Sequence, residues 1–228
     1  MTVGLDAAAV ENDLRAGLLG CPAVGCGAVL GPWGSARERV VRGAGRLLPR
    51  RGRCRGCRRT QVLLPASVLL RRADAVTVIG AALLAKTTGV GHRPIARLLG
   101  VPASTVRGWL RRIVKVAQRV LAVFAAVAAQ LGTEFTPPAA TADPVAAVVE
   151  LLGALSAAAA RRLGGSCSPW RLAAVLTGGR LLSPAGPDRG VGTALGRNTN
   201  SLWAAGRDPM GWADRSALGG PGGERQPA

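Results

Sequence analysis

Apolar and polar positions change rhythm twice along the chain. Between residues 21 and 70 the apolar runs are short, as in Ala28-Val-Leu30, Arg39-Val-Val-Arg42 and Gln61-Val-Leu-Leu-Pro65, and glycine and arginine separate them. Such runs are too brief for helices and predict small strands joined by turns. From Asp74 the spacing becomes helical, with Val76, Ile79, Ala82 and Leu83 on one stripe, Asp74 placed as N-cap and Gly89 and Gly91 as stops. A second short helix fits Pro94–Leu99, closed by Gly100, and a third opens at Pro102 or Ala103 and runs as far as Leu131. After Pro137 and Pro138 another helix is well punctuated. Asp143 suits its cap, Pro144 its first turn, Arg161 and Arg162 its last, and Gly164-Gly165 its end. Beyond residue 163 the 14 glycines and 6 prolines break every pattern but Trp170–Leu176, which predicts a short helix.

The elements predict a mainly α protein in five stretches. Residues 1–20 form a short helix or tail, 21–70 a small β unit, 74–133 a helical domain with a long third helix, and 143–183 a further helical region. Residues 184–228 are expected to be disordered. On the long helix Val106, Leu110, Ile113, Ala117, Val120, Phe124, Val127 and Leu131 recur at alternating spacings of four and three. That stripe fits either a homodimeric coiled coil or an intramolecular hairpin with the Val145–Leu155 helix. Gly108 and the many alanines weaken the coiled coil, so the hairpin is preferred and the oligomeric state stays open.

Charge adds what periodicity cannot. The chain of 228 residues carries 30 basic and 12 acidic residues, and its excess lies in one block. Residues 39–133 hold 19 basic groups and a single acid, Asp74, while the remainder holds 11 of each sign. A concentrated patch of this sign is an anion-binding surface, with nucleic acid the first candidate. Met1-Thr-Val-Gly-Leu-Asp6 has no basic or apolar leader pattern, and the charge-poor stretches 120–130 and 145–160 fall short of the roughly 20 residues of a spanning helix. A cytoplasmic, nucleoid-associated protein without a membrane partner is expected.

Cys21-Pro-Ala-Val-Gly-Cys26 and Cys54-Arg-Gly-Cys57 are two close pairs 27 residues apart. Each pair can bring two thiolates to one ion from a tight turn, and two turns complete a tetrahedral site for structural zinc. With strands around them the pairs predict a zinc ribbon. The four-residue gap of the first pair is the wider one. A redox Cys-x-x-Cys would need a βαβ setting that is missing here, and free thiols in a small basic unit are the plain alternative. Cys167 stands alone and receives no role.

The most informative stretch runs from His92 to Arg111. Two tightly crossing helices need a small residue at their contact, met by Ala96, and a turn residue tolerant of positive φ, met by Gly100. Ile95, Leu99, Val101, Val106 and Trp109 fall at the inward positions of a helix-turn-helix. Its second helix then presents Ser104, Thr105, Arg107 and Arg111 to base edges, while Arg93, Arg97, Arg112, Lys115 and Arg119 hold phosphates. An ordinary helical hairpin would show mixed charge on its outer face, yet no acid occurs between Asp74 and Glu134. The lone His92, beside a glycine turn, suits a phosphate or backbone contact.

The paired-cysteine unit, the strand ending Leu-Leu-Pro65, and the motif Ile-Ala-Arg-Leu-Leu-Gly-Val-Pro-Ala-Ser-Thr-Val-Arg-Gly-Trp resemble the DNA-binding front end of bacterial insertion-sequence transposases. They are also similar to a family of short bacterial proteins built from that front end, over about residues 20–135. The stretch Trp170–Ser183 resembles that short family's C-terminal end. The resemblance implies double-stranded DNA as partner and, in full transposases, a following domain with three metal-binding carboxylates. Here Glu134, Asp143 and Glu150 lie on a linker and an Ala-rich helix, so no catalytic activity is expected. Two alternatives stand beside this reading: a site-recognition subunit, or remnant, of a transposase whose catalytic partner is encoded separately, and a basic zinc-ribbon RNA-binding protein. The scarcity of aromatics disfavours single-strand readers.

Overall fold

A computed structural model describes residues 1–131, 143–163 and 168–187. Among the described residues the protein is mainly helical, about 49% helix against 18% strand. It opens with β1 (Thr2–Val3) and α1 (Ala7–Arg15). Asp6 caps α1 by accepting from the N–H groups of Ala8 and Ala9 at 2.8 and 3.2 Å. Then come β2 (Leu30–Ser35), a hairpin of β3 (Arg39–Val41) and β4 (Gly45–Leu47), and β5 (Arg50–Cys54), β6 (Thr60–Val62) and β7 (Leu64–Pro65). The main sheet is antiparallel in the order β2-β5-β6, while β1 pairs in parallel with β7. Leu30 lies opposite Cys54, Gly31 opposite Arg53 and Pro32 opposite Gly52. One sheet face therefore carries Leu30 and Cys54 inward, where Val10 and Leu14 of α1 meet them with Val3, Leu19 and Leu63.

Of the runs expected to form strands between residues 21 and 70, 39–42 gives β3 and 61–65 gives β6 and β7, whereas 28–30 meets only the first residue of β2, and β4 and β5 were not expected. The central strand of the main sheet, β5, reads Arg-Arg-Gly-Arg-Cys and shows no apolar alternation, because its inward positions are Gly52 and Cys54. Nor are the first 20 residues a detached tail. They supply α1, which covers the sheet, and β1, which ties it to β7.

The helical half follows as α2 (Val76–Thr87), α3 (His92–Leu99), α4 (Ala103–Gln130), α5 (Pro144–Leu163) and α6 (Pro169–Leu176). Asp74 does not cap α2. Ala75 occupies that position without a side-chain bond, and the Asp74 carboxylate instead pairs with Arg42 of the sheet half at 3.0 Å. The second helix starts at His92, two residues before Pro94, since proline is comfortable in a first turn. Asp143 accepts from the Val145 N–H at 2.9 Å at the head of α5, as its position predicted.

The long helix packs chiefly on α5, and the stripe at Val106, Ile113, Ala117, Val120, Phe124 and Val127 is buried, with Leu110 and Leu131 at its edges. That face is thus covered within the chain by Val145, Val148, Leu151, Leu152 and Leu155. By length and composition alone both helices would cross a bilayer, with 18-residue windows of mean hydropathy 1.5 and 1.4, more than the charge-poor stretches suggested. About half of each window is buried within the protein. Gly80 of α2 lets the Trp170 indole lie against the helix backbone, for a Cβ there would stand 2.1 Å from the ring. Of the stretch expected to be disordered, 184–187 are described and residues 188–228 lie outside the described set.

Candidate metal centre and basic helix pair

Cys21 and Cys26 bracket the turn before β2, and Cys54 and Cys57 the turn between β5 and β6. The antiparallel pairing of β2 with β5 sets these turns side by side. The Cys21 and Cys57 sulfurs are 3.7 Å apart, those of Cys26 and Cys54 3.5 Å, and all four lie within 4.8 Å of one another. A tetrahedral ion with metal–sulfur bonds of about 2.3 Å holds its sulfurs about 3.8 Å apart, so the two close pairs match it and the other sulfurs need move by no more than about 1 Å to share one ion. All four cysteines are free, and the separations are far beyond the roughly 2.05 Å of a disulfide.

The turns favour a thiolate at Cys26 and, with no cation present, the neutral thiol at Cys21. Backbone donors at Ala28 and then the Cys54 side chain, followed by the Cys57 backbone, lower the Cys26 thiol to about 6. Burial pushes Cys21 up to about 12, against a backbone donor at Ala23. Four negative sulfurs this close repel each other, and a divalent cation is what relieves that repulsion. Gly56 makes the approach of the two turns feasible, since a Cβ there would stand 2.8 Å from the Ala28 methyl and 3.6 Å from the Cys26 sulfur. Cys167 lies outside the described residues.

The second feature is the junction of α3 and α4. Gly100 turns the chain with φ +62°, its N–H bonding the Arg97 carbonyl at 3.3 Å while Val101 N–H reaches Ala96 at 3.1 Å. Inside the crossing Ile95, Ala96, Val101, Val106 and Trp109 are buried, and Leu99 is partly so. Arg93, Arg97, Ser104, Arg107, Arg111, Arg112 and Lys115 are exposed, and Thr105 and His92 are half-buried. Arg93, Arg97 and Pro102 line an open hollow at the turn. Burial, and then the nearby positive Arg112, lowers the pKa of Arg72, which donates to the Leu182 carbonyl at 3.0 Å. Arg119 is exposed too, but its guanidinium donates to the Ala185 carbonyl and packs over Gly186.

Of the carboxylates, Asp143 is engaged at the head of α5 and Glu150 is exposed two turns further on, while Glu134 lies outside the described residues. Sequence reasoning assigned no contact to the arginines of β5 and the turn after it, because it had not recognised the strand that aligns them. No family model matches the chain, and neither a curated protein nor a solved structure matches it.

Proposed function

We propose that this chain is a sequence-specific binder of double-stranded DNA, in which α3 and α4 act as a helix-turn-helix and the cysteine-bearing half as a zinc ribbon. The observation that carries the reading is the acid-free, arginine-rich outer face around Gly100, set over an inner face in which Ile95, Val106 and Trp109 are buried. Ser104, Thr105, Arg107 and Arg111 occupy the first turns of α4, where a helix entering the major groove presents side chains to base edges. Arg93, Arg97, Arg112 and Lys115 flank them and suit phosphates, and Arg119 joins them if it releases Ala185. Four thiolates, a tetrahedral fit and no redox setting favour zinc, held by Cys21, Cys26, Cys54 and Cys57 as a structural ion. The resemblance to the front end of insertion-sequence transposases agrees with this division of labour.

The test begins with a selection of bound sequences from random duplexes. Binding to the selected site should be strongly salt-sensitive, with log K falling at a slope near −5 if some 5–6 phosphates are neutralised. Arg107→Ala should cost roughly 1–3 kcal/mol on that site and little on a scrambled duplex. Arg112→Ala should weaken both duplexes alike and flatten the slope by about one unit. Equal losses from both variants on both duplexes would reduce the helix pair to a basic surface.

A further inference from the structure

We propose that the cysteine-bearing half carries a second DNA surface, the outer face of β2-β5-β6, where Arg51, Arg53, Arg55 and Arg58 around Trp33 meet the sugar-phosphate backbone. This shares with the function above only the identity of the ligand. It uses none of the same residues.

Side chains alternate across a strand, and the inward set here is Gly52 and Cys54, against α1 and Leu30. Arg51 and Arg53 of β5 therefore share the opposite face, with Val62 and Thr60 of β6 opposite them, and Arg55 reaches that face from the following turn. The Arg53 guanidinium lies 4.3 Å over the Trp33 ring, and its Nε donates to the Arg58 carbonyl at 3.3 Å. Arg55 folds over Gly31, where a Cβ would stand 3.4 Å from its Nε. Trp33 remains 49% exposed beside this layer.

The acids of this half are spent elsewhere. Glu11 pairs with Arg15 and Arg50, Glu38 with Arg46, and Asp74 with Arg42. Among the described residues no carboxylate forms a salt bridge with Arg51, Arg53, Arg55 or Arg58. Arg15, Arg42, Arg46 and Arg50 thus have acid partners, and the four arginines of the outer face form no such bridge among the described residues.

Arg58 adds an independent sign. The residue after each turn's second cysteine is left-handed: Gly27 at φ +64° in the first turn and Arg58 at φ +62° in the second. Glycine adopts that conformation without strain, whereas a side chain with a Cβ resists it. A strained arginine is explained if its guanidinium is needed on that face. Planar guanidiniums bind phosphate bidentately, and a single indole is too little for a platform of stacked bases, so the occupant is a duplex backbone and not an unpaired strand.

The experiment uses the zinc-loaded full chain, a short fluorescent DNA duplex and a salt titration. Arg58→Gly relieves the strained turn, so its melting temperature should stay level or rise. Its affinity at 0.1 M salt should fall about eightfold and its salt slope flatten by about 0.9, the worth of one phosphate contact. Arg53→Ala should do the same. If both variants bind like the parent with the same slope, while Arg107→Ala or Arg112→Ala loses affinity, the sheet carries no DNA and the helix-pair reading survives alone. If instead the sheet variants lose affinity while Arg107→Ala and Arg112→Ala do not, the sheet surface stands and the helix-pair reading falls. An RNA hairpin that outcompetes the duplex, and loses its grip in Arg58→Gly, overturns the assignment to DNA. Failure to bind any duplex at low salt sinks both.

Discussion

Among the described residues, seven buried side chains make up the core under the cysteine-bearing sheet, one of them Cys54, and Val41, Leu64 and Val68 a small cluster beside it, whereas thirty make up the core of the helical half. The first core has no aromatic ring, and the second is centred on Trp109 and Phe124. Apolar burial at about 25 cal/mol per Å² can hold the second together, but a few aliphatic side chains cannot offset the ordering of some seventy residues. The sheet half needs another source of free energy, and the sulfur cluster is placed to provide it. The same contrast governs where charge is tolerated. On α4 the arginines stand on a helix held by its buried face, while on β5 they stand on a strand that adds little apolar area of its own.

The largest effect should come from removing the metal. Structural zinc contributes an apparent ~10–16 kcal/mol at neutral pH, as much as the whole stability of an ordinary domain. Elemental analysis should find one equivalent of zinc in the parent, and chelation, or Cys54→Ser with Cys57→Ser, should abolish it and unfold the sheet half. Most of the helical circular dichroism should persist. Cys167→Ser should leave the stoichiometry unchanged. Equal zinc in parent and double variant would remove the ribbon, and collapse of both halves together would erase the contrast between them.

Next in size is the helical core. Trp109 is 2% exposed, and Trp109→Ala should cost about 3–5 kcal/mol. The loss should appear as a lowered unfolding midpoint of the helices, with zinc still bound. If zinc is released first, the two cores are one cooperative unit.

Much of this division was legible in the residues, and what escaped did so for physical reasons. The Gly100 turn, the long helix and its hairpin with α5 were readable because a wide apolar stripe at helical spacing has few alternatives. The cysteine cluster was readable because thiolate pairs at these spacings have little else to do. The strand β5 escaped because its inward residues are a glycine and a metal-ligand candidate, neither of which signals a buried strand. With it went the alignment of Arg51 and Arg53. Asp74 was misplaced because an acid before an apolar run suits a cap as well as a distant guanidinium, and only the chain's return at Arg42 decides between them.

Gly100→Val should rank third. A β-branched residue at φ +62° is strained by about 1–3 kcal/mol, and any shift of the turn changes the crossing of α3 on α4. Binding should fall on specific and scrambled duplexes alike, with zinc retained. Wild-type affinity for the selected site would mean that the crossing does not position the reading residues.

The smallest effect concerns the joint between the halves. The backbone of Arg42 bonds Ala73 and Ala75 at 2.9 and 2.8 Å, and its guanidinium reaches the Asp74 carboxylate, which is 8% exposed against 48% for Arg42. A pair open to solvent on one side stabilises by about 1 kcal/mol. If Asp74 is a tether, Asp74→Asn and Arg42→Met should each lower the unfolding midpoint by a similar small amount, and the double variant should cost little more than either. If Asp74 instead capped α2, Asp74→Asn would be nearly silent, since asparagine caps as well as aspartate, and Arg42→Met would add its own loss independently. The cycle thus separates a bond inside one half from a bond between two, and strong coupling is the outcome the ion pair requires.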